Sequence, residues 1–343
     1  MTVFAGLRER KKFMMFLKLI LKHKGFPAGS CILSLFFLFL FTCPVRAREP
    51  SGADALYRFD RQVQMSFSGA RSGKPTSLAI DSTGRLFVVC SLTNDVRVFD
   101  SAGRFLFAFG RESSSQDKSG NKGVLKEPSG IAIDKQDLIY ISDLAADRIL
   151  IYSSDGRFLD QFPLHQPEKG RETCAPFIAY NPYDNRLYAA DACNHLVGVY
   201  TLKGEFKASF GTAGTGEGDL SGPAHISFDT RGNIYVVDAG NFRVQSYTPD
   251  FKFRFAFGRS GTKEGEFVRP YGLAIDAKDR IYVSDFIANS VQVFNNKGQY
   301  LVSVSQPDNP RLFSQPLGLA WVNNKIYVVN AETKVVSVFD IAK

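Results

Sequence analysis

The chain is poor in the residues that most often form metal and nucleophilic sites: its 343 residues include 4 His, 5 Cys and 1 Trp. No Ser-His-Asp or Cys-His arrangement is recognisable in it. The glycine-rich stretch at residues 211–218 is followed neither by Gly-Lys-Ser/Thr nor by a helical pattern, so it does not predict a phosphate-binding loop. The sequence therefore gives no support to a triad hydrolase or a P-loop enzyme.

Long apolar runs are also missing. The apolar segment at residues 31–41 is shorter than the roughly 20 residues that span a membrane. Basic residues from Arg8 to Lys24 precede it and Val45-Arg46-Ala47 follows it, which is the order of a secretory signal. We predict a signal peptide over residues 1–47, with an uncleaved membrane anchor as the alternative, and a linker over residues 48–56. The remaining chain is then exported to the periplasm or the extracellular space.

An excess of positive charge is absent once this leader is set aside. The leader holds 8 of the 42 Lys/Arg and 1 of the 34 Asp/Glu, which leaves 34 and 33 and a net charge of +1 instead of +8. Proteins that bind nucleic acid normally need a basic field to neutralise phosphates. We therefore expect no nucleic-acid partner, and membrane contact only through an uncleaved N-terminal segment.

What the chain does contain is a repeat. Six prolines are each followed by an apolar run, a turn and a second apolar run, at spacings of 53, 48, 47, 47 and 46 residues. A period near 47 fits one four-stranded propeller blade per repeat. The prolines are Pro75, Pro128, Pro176, Pro223, Pro270 and Pro316.

Each repeat contains short segments rich in β-branched and aromatic residues, separated by turn-forming Asn, Asp and Gly. Four antiparallel strands in six copies predict an all-β, six-bladed β-propeller over residues 57–343. The sixth repeat ends before a fourth strand, while residues 57–67 form a strand-like stretch that belongs to no repeat. We predict that this N-terminal strand completes the last blade and closes the ring, which removes two exposed sheet edges.

The repeat resembles that of the NHL-repeat family. The resemblance rests on Pro-x-Gly-Ile-Ala-x-Asp at residues 128–134, on the second strand ending in Asp, on Asn241-Phe242-Arg243-Val244, and on the connectors at residues 211–220 and 258–267. It implies a six-bladed propeller and leaves the activity open, because that family includes scaffolds, sensors, RNA binders and a few enzymes.

Three cysteines follow the leader: Cys90, Cys174 and Cys193. Cys174 and Cys193 are equidistant from the predicted hairpin turn near Tyr183 and Asp184, so their side chains should face each other across the open end of that hairpin. We predict a disulfide between them, which suits an oxidising compartment. Cys90 takes the place of a strand-end Asp and is expected to be a small buried residue.

Three histidines follow the leader, and the repeat register places all of them on one face of the propeller. His165 lies between blades two and three, His195 in a turn of blade three, and His225 two residues after Pro223, where other repeats have glycine. Imidazoles on converging loops are candidate zinc ligands. The competing interpretation is that they are ordinary rim residues, and we predict no cofactor.

Two enzyme classes with this fold provide the alternatives. The Cys174 to Cys193 segment is similar to a disulfide-bearing blade of peptidylglycine amidating lyase, which would imply a zinc-dependent lyase using a His cluster. Ala192 stands where that resemblance expects Tyr, and His225 lies one place later than the resemblance expects. A sugar-lactone hydrolase would require an acidic calcium cluster at the starts of the inner strands, and the sequence has none there.

The recurring aspartates, such as Asp81 and Asp143, occupy equivalent turn and strand-end positions, so we interpret them as structural. Recognition by a repeat scaffold usually depends on residues that depart from the repeat. We therefore predict an exported, monomeric, non-enzymatic module that binds a protein or peptide, with a metal-dependent lyase or hydrolase as the alternative. The candidate ligand-binding residues are Phe177, His195, His225, Arg148, Arg243, Tyr271 and Phe286.

Overall fold

The computed structural model describes residues 57–65, 73–111, 123–164, 177–304 and 312–341. Within these ranges, no helix is long and apolar enough to cross a membrane.

The described residues form six four-stranded antiparallel sheets. Blade 1 consists of β2 (Pro75–Ile80), β3 (Leu86–Cys90), β4 (Asp95–Phe99) and β5 (Phe105–Phe109). Blade 2 consists of β6 (Pro128–Ile133), β7 (Ile139–Asp143), β8 (Arg148–Tyr152) and β9 (Phe158–Pro163). Blade 3 consists of β10 (Phe177–Asn181), β11 (Arg186–Asp191), β12 (Leu196–Thr201) and β13 (Phe206–Phe210). Blade 4 consists of β14 (Pro223–Phe228), β15 (Ile234–Asp238), β16 (Arg243–Tyr247) and β17 (Phe253–Phe257). Blade 5 consists of β18 (Pro270–Ile275), β19 (Ile281–Asp285), β20 (Ser290–Phe294) and β21 (Tyr300–Ser303). Blade 6 consists of β22 (Pro316–Val322), β23 (Lys325–Asn330), β24 (Val335–Ile341) and β1 (Tyr57–Gln64).

The N-terminal strand closes the ring of blades. β1 pairs antiparallel with β24, from Tyr57 opposite Ile341 to Gln64 opposite Val335, so the sixth sheet has the order β1-β24-β23-β22. Each inner strand lies beside the inner strand of the next blade, and β22 lies beside β2. The predicted six-bladed propeller and its closure by the N-terminal strand are confirmed.

Inter-blade packing explains why so many strand residues are apolar on both faces. The residues of β3, β7, β15 and β19 are all buried. One cluster joins Phe87 and Val89 of blade 1 to Ile131 and Ile141 of blade 2, and five comparable clusters occupy the other blade junctions. Because a middle strand presents each face to a neighbouring blade, neither face tolerates polar side chains without partners.

The turn aspartates organise the first hairpin of the blades. The Asp81 carboxylate accepts the backbone N–H groups of Thr83 and Arg85 at 3.0 and 2.8 Å. Equivalent bonds are made by Asp134, Asp229 and Asp276. The structural role predicted for this set is confirmed, because each carboxylate satisfies turn donors that would otherwise lack partners.

The strand-end aspartates fix the connector that enters each blade. Asp143 accepts the N–H groups of Lys126 and Glu127 at 3.1 and 2.7 Å, just before the inner strand of the same blade begins. Asp238 and Asp285 do the same for their own connectors. These carboxylates hold the connector that precedes the inner strand and so set where that strand starts.

Candidate functional site

The candidate site lies on the face where the inner strands begin. The connectors entering the inner strands and the turns joining the second and third strands are on this side, which we call the loop face. The hairpins joining the first and second strands are on the opposite side. The loop face surrounds the mouth of the channel that the six inner strands enclose, which is where propellers usually present their recognition residues.

Four aromatic side chains from three consecutive blades meet at this mouth. The Phe177 ring of blade 3 lies 5.3 Å from the His225 ring of blade 4 and 5.2 Å from the Tyr271 ring of blade 5, measured between centroids. Tyr271 in turn lies 6.4 Å from Phe286. Edge-to-face and tilted contacts at these distances are favourable aromatic geometries. We call Phe177, His225, Tyr271 and Phe286 the channel-mouth cluster.

The members of the cluster differ in exposure. Phe177 is buried, whereas His225, Tyr271 and Phe286 are partly buried. Burial raises the pKa of the Tyr271 hydroxyl to about 12, against a smaller opposing effect of the Arg269 charge. Tyr271 is therefore protonated at neutral pH and can donate a hydrogen bond.

His225 stands on β14 at a position where three other repeats have glycine. In blade 5 a Cβ added at Gly272 would lie 2.1 Å from the Leu317 carbonyl oxygen, so that position normally serves close approach of neighbouring inner strands. Burial lowers the pKa of His225 to about 4, with a weak opposing effect from the Ile226 backbone. Its Nδ1 is buried and has no hydrogen-bond partner among the described residues. A neutral imidazole with one unused polar atom thus points to a ligand or water at this place.

His195 is outside the cluster and has a structural contact of its own. It lies in the turn before β12 with a left-handed φ of 58°, and its Nδ1 accepts the Gly222 N–H at 3.0 Å. Asn289 occupies the equivalent turn of blade 5 with φ 52°, and its Oδ1 accepts the Gln315 N–H at 2.7 Å. Both side chains tie one blade to the connector of the next, so the His195 imidazole acts as an inter-blade link.

Arg148 and Arg243 are also outside the cluster. Arg148 bonds Asp143 and the Val124 carbonyl at 3.1 and 2.8 Å, and Arg243 bonds Asp238 at 2.8 Å together with two connector carbonyls. Their guanidinium groups thus support the connectors. Their place in a ligand site stays a prediction that these contacts do not favour.

The metal candidates do not come together in the part of the chain that the structure describes. Its ranges contain no group of three or more His, Cys, Asp or Glu residues arranged to hold a metal ion. His165 lies outside the described residues, so the structure does not test whether His165, His195 and His225 come together. Cys174 also lies outside them, and the Cys174–Cys193 disulfide stays a prediction, whereas Cys90 is a free, buried cysteine.

One member of the site was missed by the sequence reasoning. Arg269 immediately precedes Pro270, and its guanidinium carbon lies 5.7 Å from the centroid of the Phe286 ring. The other described positions before a repeat proline hold Lys74, Glu127, Gly222 and Gln315. The variation at this position was the available signal, but nothing in the sequence shows which of these side chains lies beside the cluster.

Comparisons with known proteins identify the fold. No protein-family model and no curated protein matches the chain. Among solved structures it is similar to a streptogramin B lyase, with a TM-score of 0.59 and 15% identity over 85% of this chain and 100% of that chain. A catalytically inactive virginiamycin B lyase from Staphylococcus aureus with quinupristin gives a TM-score of 0.57 and 17% identity over 80% and 83% of the two chains. The selenomethionine-substituted lyase from the same organism gives 0.57 and 14%, over 83% and 100%.

These identities are low enough that the likeness establishes the six-bladed propeller and nothing about activity. The NHL-type assignment of the repeat stays a resemblance.

Proposed function

We propose that this propeller is a non-enzymatic binding module that recognises a protein or peptide through the channel-mouth cluster. The observation that carries the proposal is the run of ring contacts that joins aromatic side chains of three blades, in which Tyr271 and Phe286 are partly exposed. Aromatic anchors surrounded by well-packed residues dominate binding energy in protein interfaces. The balanced charge of the chain after its leader supports a partner other than nucleic acid.

The chemistry of the cluster also favours binding over catalysis. With its pKa lowered to about 4, His225 is a weak general base at neutral pH. Tyr271, with its pKa raised to about 12, stays protonated at neutral pH, so it is a poor nucleophile but can still donate a hydrogen bond. Both groups suit the recognition of a neutral or polar ligand group better than proton abstraction.

The test uses peptides selected on the immobilised protein from a random display library. The selected peptides should bind at least about tenfold more weakly to Tyr271→Ala and Phe286→Ala, because truncating an aromatic anchor typically costs 1–2 kcal/mol or more. The matched control is Tyr183→Ala, since Tyr183 is an exposed aromatic residue, 56% accessible, on the opposite side. If all three variants bind the selected peptides as tightly as the wild-type protein does, the channel mouth is not the recognition site.

The alternative function, a metal-dependent lyase or hydrolase, is favoured by one observation. The unpartnered Nδ1 of His225 is available as a metal ligand. Quinupristin is the probe because one of the lyases with a similar fold was solved with it. Elemental analysis of the purified protein and mass spectrometry of quinupristin incubated with it would decide between the two. Stoichiometric zinc that is lost in His225→Ala, together with conversion of quinupristin, would replace the binding proposal with the enzyme.

We also propose export and a disulfide between Cys174 and Cys193. β10 and β11 pair Phe177 with Ala190, and positions 174 and 193 are each three residues further along the sequence from that pair. Burial raises the pKa of the Cys90 thiol to about 12, so this cysteine should resist alkylation in the folded protein. In the chain lacking its leader, alkylation under denaturing conditions should modify one cysteine before reduction and three after it. Three modified cysteines before reduction would exclude the disulfide.

A further inference from the structure

Arg269 presents an unpaired positive charge at the edge of the channel-mouth cluster. It is partly buried, yet its guanidinium makes no ion pair and no hydrogen bond with any residue that the structure describes. Comparable partly buried arginines are paired: Arg243 with Asp238 at 2.8 Å and Arg280 with Asp276 at 2.6 Å. An arginine that is held near the surface without a counter-ion, in a chain rich in Arg–Asp pairs, has its charge available for a ligand.

The backbone of Arg269 is fixed on both sides. Its N–H donates to Asp285 at 3.1 Å, and its carbonyl accepts the Phe286 N–H at 3.0 Å. The guanidinium lies over the Phe286 ring, which is a favourable cation–π position. Arg269 thus starts from a hydrogen-bonded backbone position, and its guanidinium lies beside the Phe286 ring.

Two acids close to Arg269, Asp285 and Glu266, are not free to neutralise its charge. Asp285 is fully buried and accepts the N–H groups of Val268 and Arg269 on one side and of Ile287 and Ala288 on the other. Glu266, three residues before Arg269, bonds Arg259 instead. The local acids are thus committed to the connector itself.

We propose that Arg269 binds the carboxylate of a ligand whose apolar portion lies on Phe286 and Tyr271, as the carboxyl-terminal residue of a peptide would if its side chain is apolar. The Tyr271 hydroxyl, which makes no hydrogen bond with a described residue, is the second donor. This inference rests on the proposed function and names the chemical class of its ligand. A single planar guanidinium matches a carboxylate in charge and in bidentate geometry, whereas a phosphate dianion usually needs additional cations.

The probes are N-acetyl-phenylalanine, its carboxamide and phenyl phosphate, each titrated into the purified protein and followed by ligand-observed NMR. The acid should bind about tenfold or more tightly than the amide, because a charge-assisted hydrogen bond is lost in the amide. Arg269→Gln should abolish this preference, and Arg269→Lys should restore part of it. Arg254→Gln is the matched control, since Arg254 also lies over a phenylalanine, 5.3 Å from the Phe255 ring centroid, away from the site.

The outcomes separate the anion site from the binding module. Equal binding of acid and amide to the wild-type protein, or an acid preference that survives in Arg269→Gln, would overturn the carboxylate proposal. Peptide binding that still depends on Tyr271 and Phe286 would keep the proposed function in that case. Tighter binding of phenyl phosphate than of the acid would assign the site to phosphate esters and overturn the proposal as stated. Unchanged thermal unfolding of Arg269→Gln confirms that a loss of binding is local.

Discussion

His225 shows how one substitution in a repeat can create a site. Glycine at this position lets neighbouring inner strands approach, as at Gly272, where a Cβ would collide with the next blade. The imidazole at 225 instead contacts the Phe177 ring and leaves its Nδ1 without a partner. A buried polar atom without a partner costs about 1–3 kcal/mol, so the residue is better explained by binding than by packing.

The partly buried imidazole of His225 predicts a pH dependence of stability. Burial lowers the pKa of His225 from 6.5 to about 4. Between these two pH values His225 is therefore protonated in the unfolded chain and neutral in the folded protein. The free energy of unfolding should therefore fall as the pH drops through this window, by up to about 3 kcal/mol from this residue, and should be unaffected by it above pH 7. Urea unfolding of wild type and His225→Gly at pH 7 and pH 4.5 measures the effect. An equal pH dependence in both proteins would contradict it.

The hydrogen bond between the Gly222 N–H and His195 predicts that changing His195 alters stability without altering peptide binding. His195→Ala removes the acceptor for the Gly222 N–H and should lower the free energy of unfolding by about 1 kcal/mol. His195→Asn should recover most of this loss, because asparagine tolerates the left-handed backbone and Asn289 makes the same bond in blade 5. Neither change should alter binding of the display-selected peptides. A binding loss in His195→Asn at unchanged stability would instead place His195 in the recognition site.

At the scale of the blade, the strand-end aspartate is the residue that holds the connector and the neighbouring strands together. Asp238 is fully buried and accepts the Ser221 N–H at 2.7 Å, the Arg243 Nε–H at 2.8 Å and the Gln245 side chain at 3.0 Å. It joins the connector, the second strand and the third strand of blade 4. Blade 6 uses Asn330 in this place, where its Oδ1 accepts the Ser314 N–H at 3.1 Å.

Removing this carboxylate should therefore destabilise the protein strongly. Asp238→Ala leaves Arg243 without its counter-ion, and breaking a buried pair in this way costs about 3–5 kcal/mol. Asp238→Asn should fall between wild type and Asp238→Ala, because the amide oxygen can still accept the connector N–H. Asp250→Ala is the control, since its carboxylate is 61% exposed, and its urea midpoint should match wild type. Equal midpoints for Asp238→Ala and wild type would rule out the structural role.

The blade is also the scale at which sequence reasoning succeeded. Hairpin turns, strand-end aspartates and apolar strands are local patterns that recur with a fixed period, so six blades and their closure follow from the chain alone. The departures Phe177, His225, Tyr271 and Phe286 could be found against that repeat, although not their contact with one another. That Arg269 lacks an ion pair among the described residues could not be predicted, because this depends on Asp285 bonding four backbone N–H groups in three dimensions.

At the scale of the whole molecule, closure of the ring connects the two ends of the chain. β1 contributes Tyr57 and Val63 to separate inter-blade cores, and the Tyr57 hydroxyl reaches Tyr282 of blade 5 at 3.4 Å. Lys325 of β23 bonds Asp60 at 3.0 Å, and the Phe59 ring lies 5.7 Å from the Phe339 ring. The strand thus holds blade 6 by backbone pairing, apolar burial and charge together, and a propeller without it would have an open outer edge at β24.

Truncation tests whether this strand is required for a monomeric fold. A chain beginning at Met65 lacks β1 and should lose at least about 3–6 kcal/mol of stability, since burying two such apolar side chains is worth that much before the backbone ladder is counted. It should also self-associate, because β24 would expose its unpaired backbone groups. A chain beginning at Tyr57 is the control and should be monomeric with the urea midpoint of the chain beginning at residue 48. Light scattering after gel filtration and urea unfolding give both readouts. A monomeric chain from Met65 with an unchanged midpoint would show that the ring of blades is stable without its N-terminal strand.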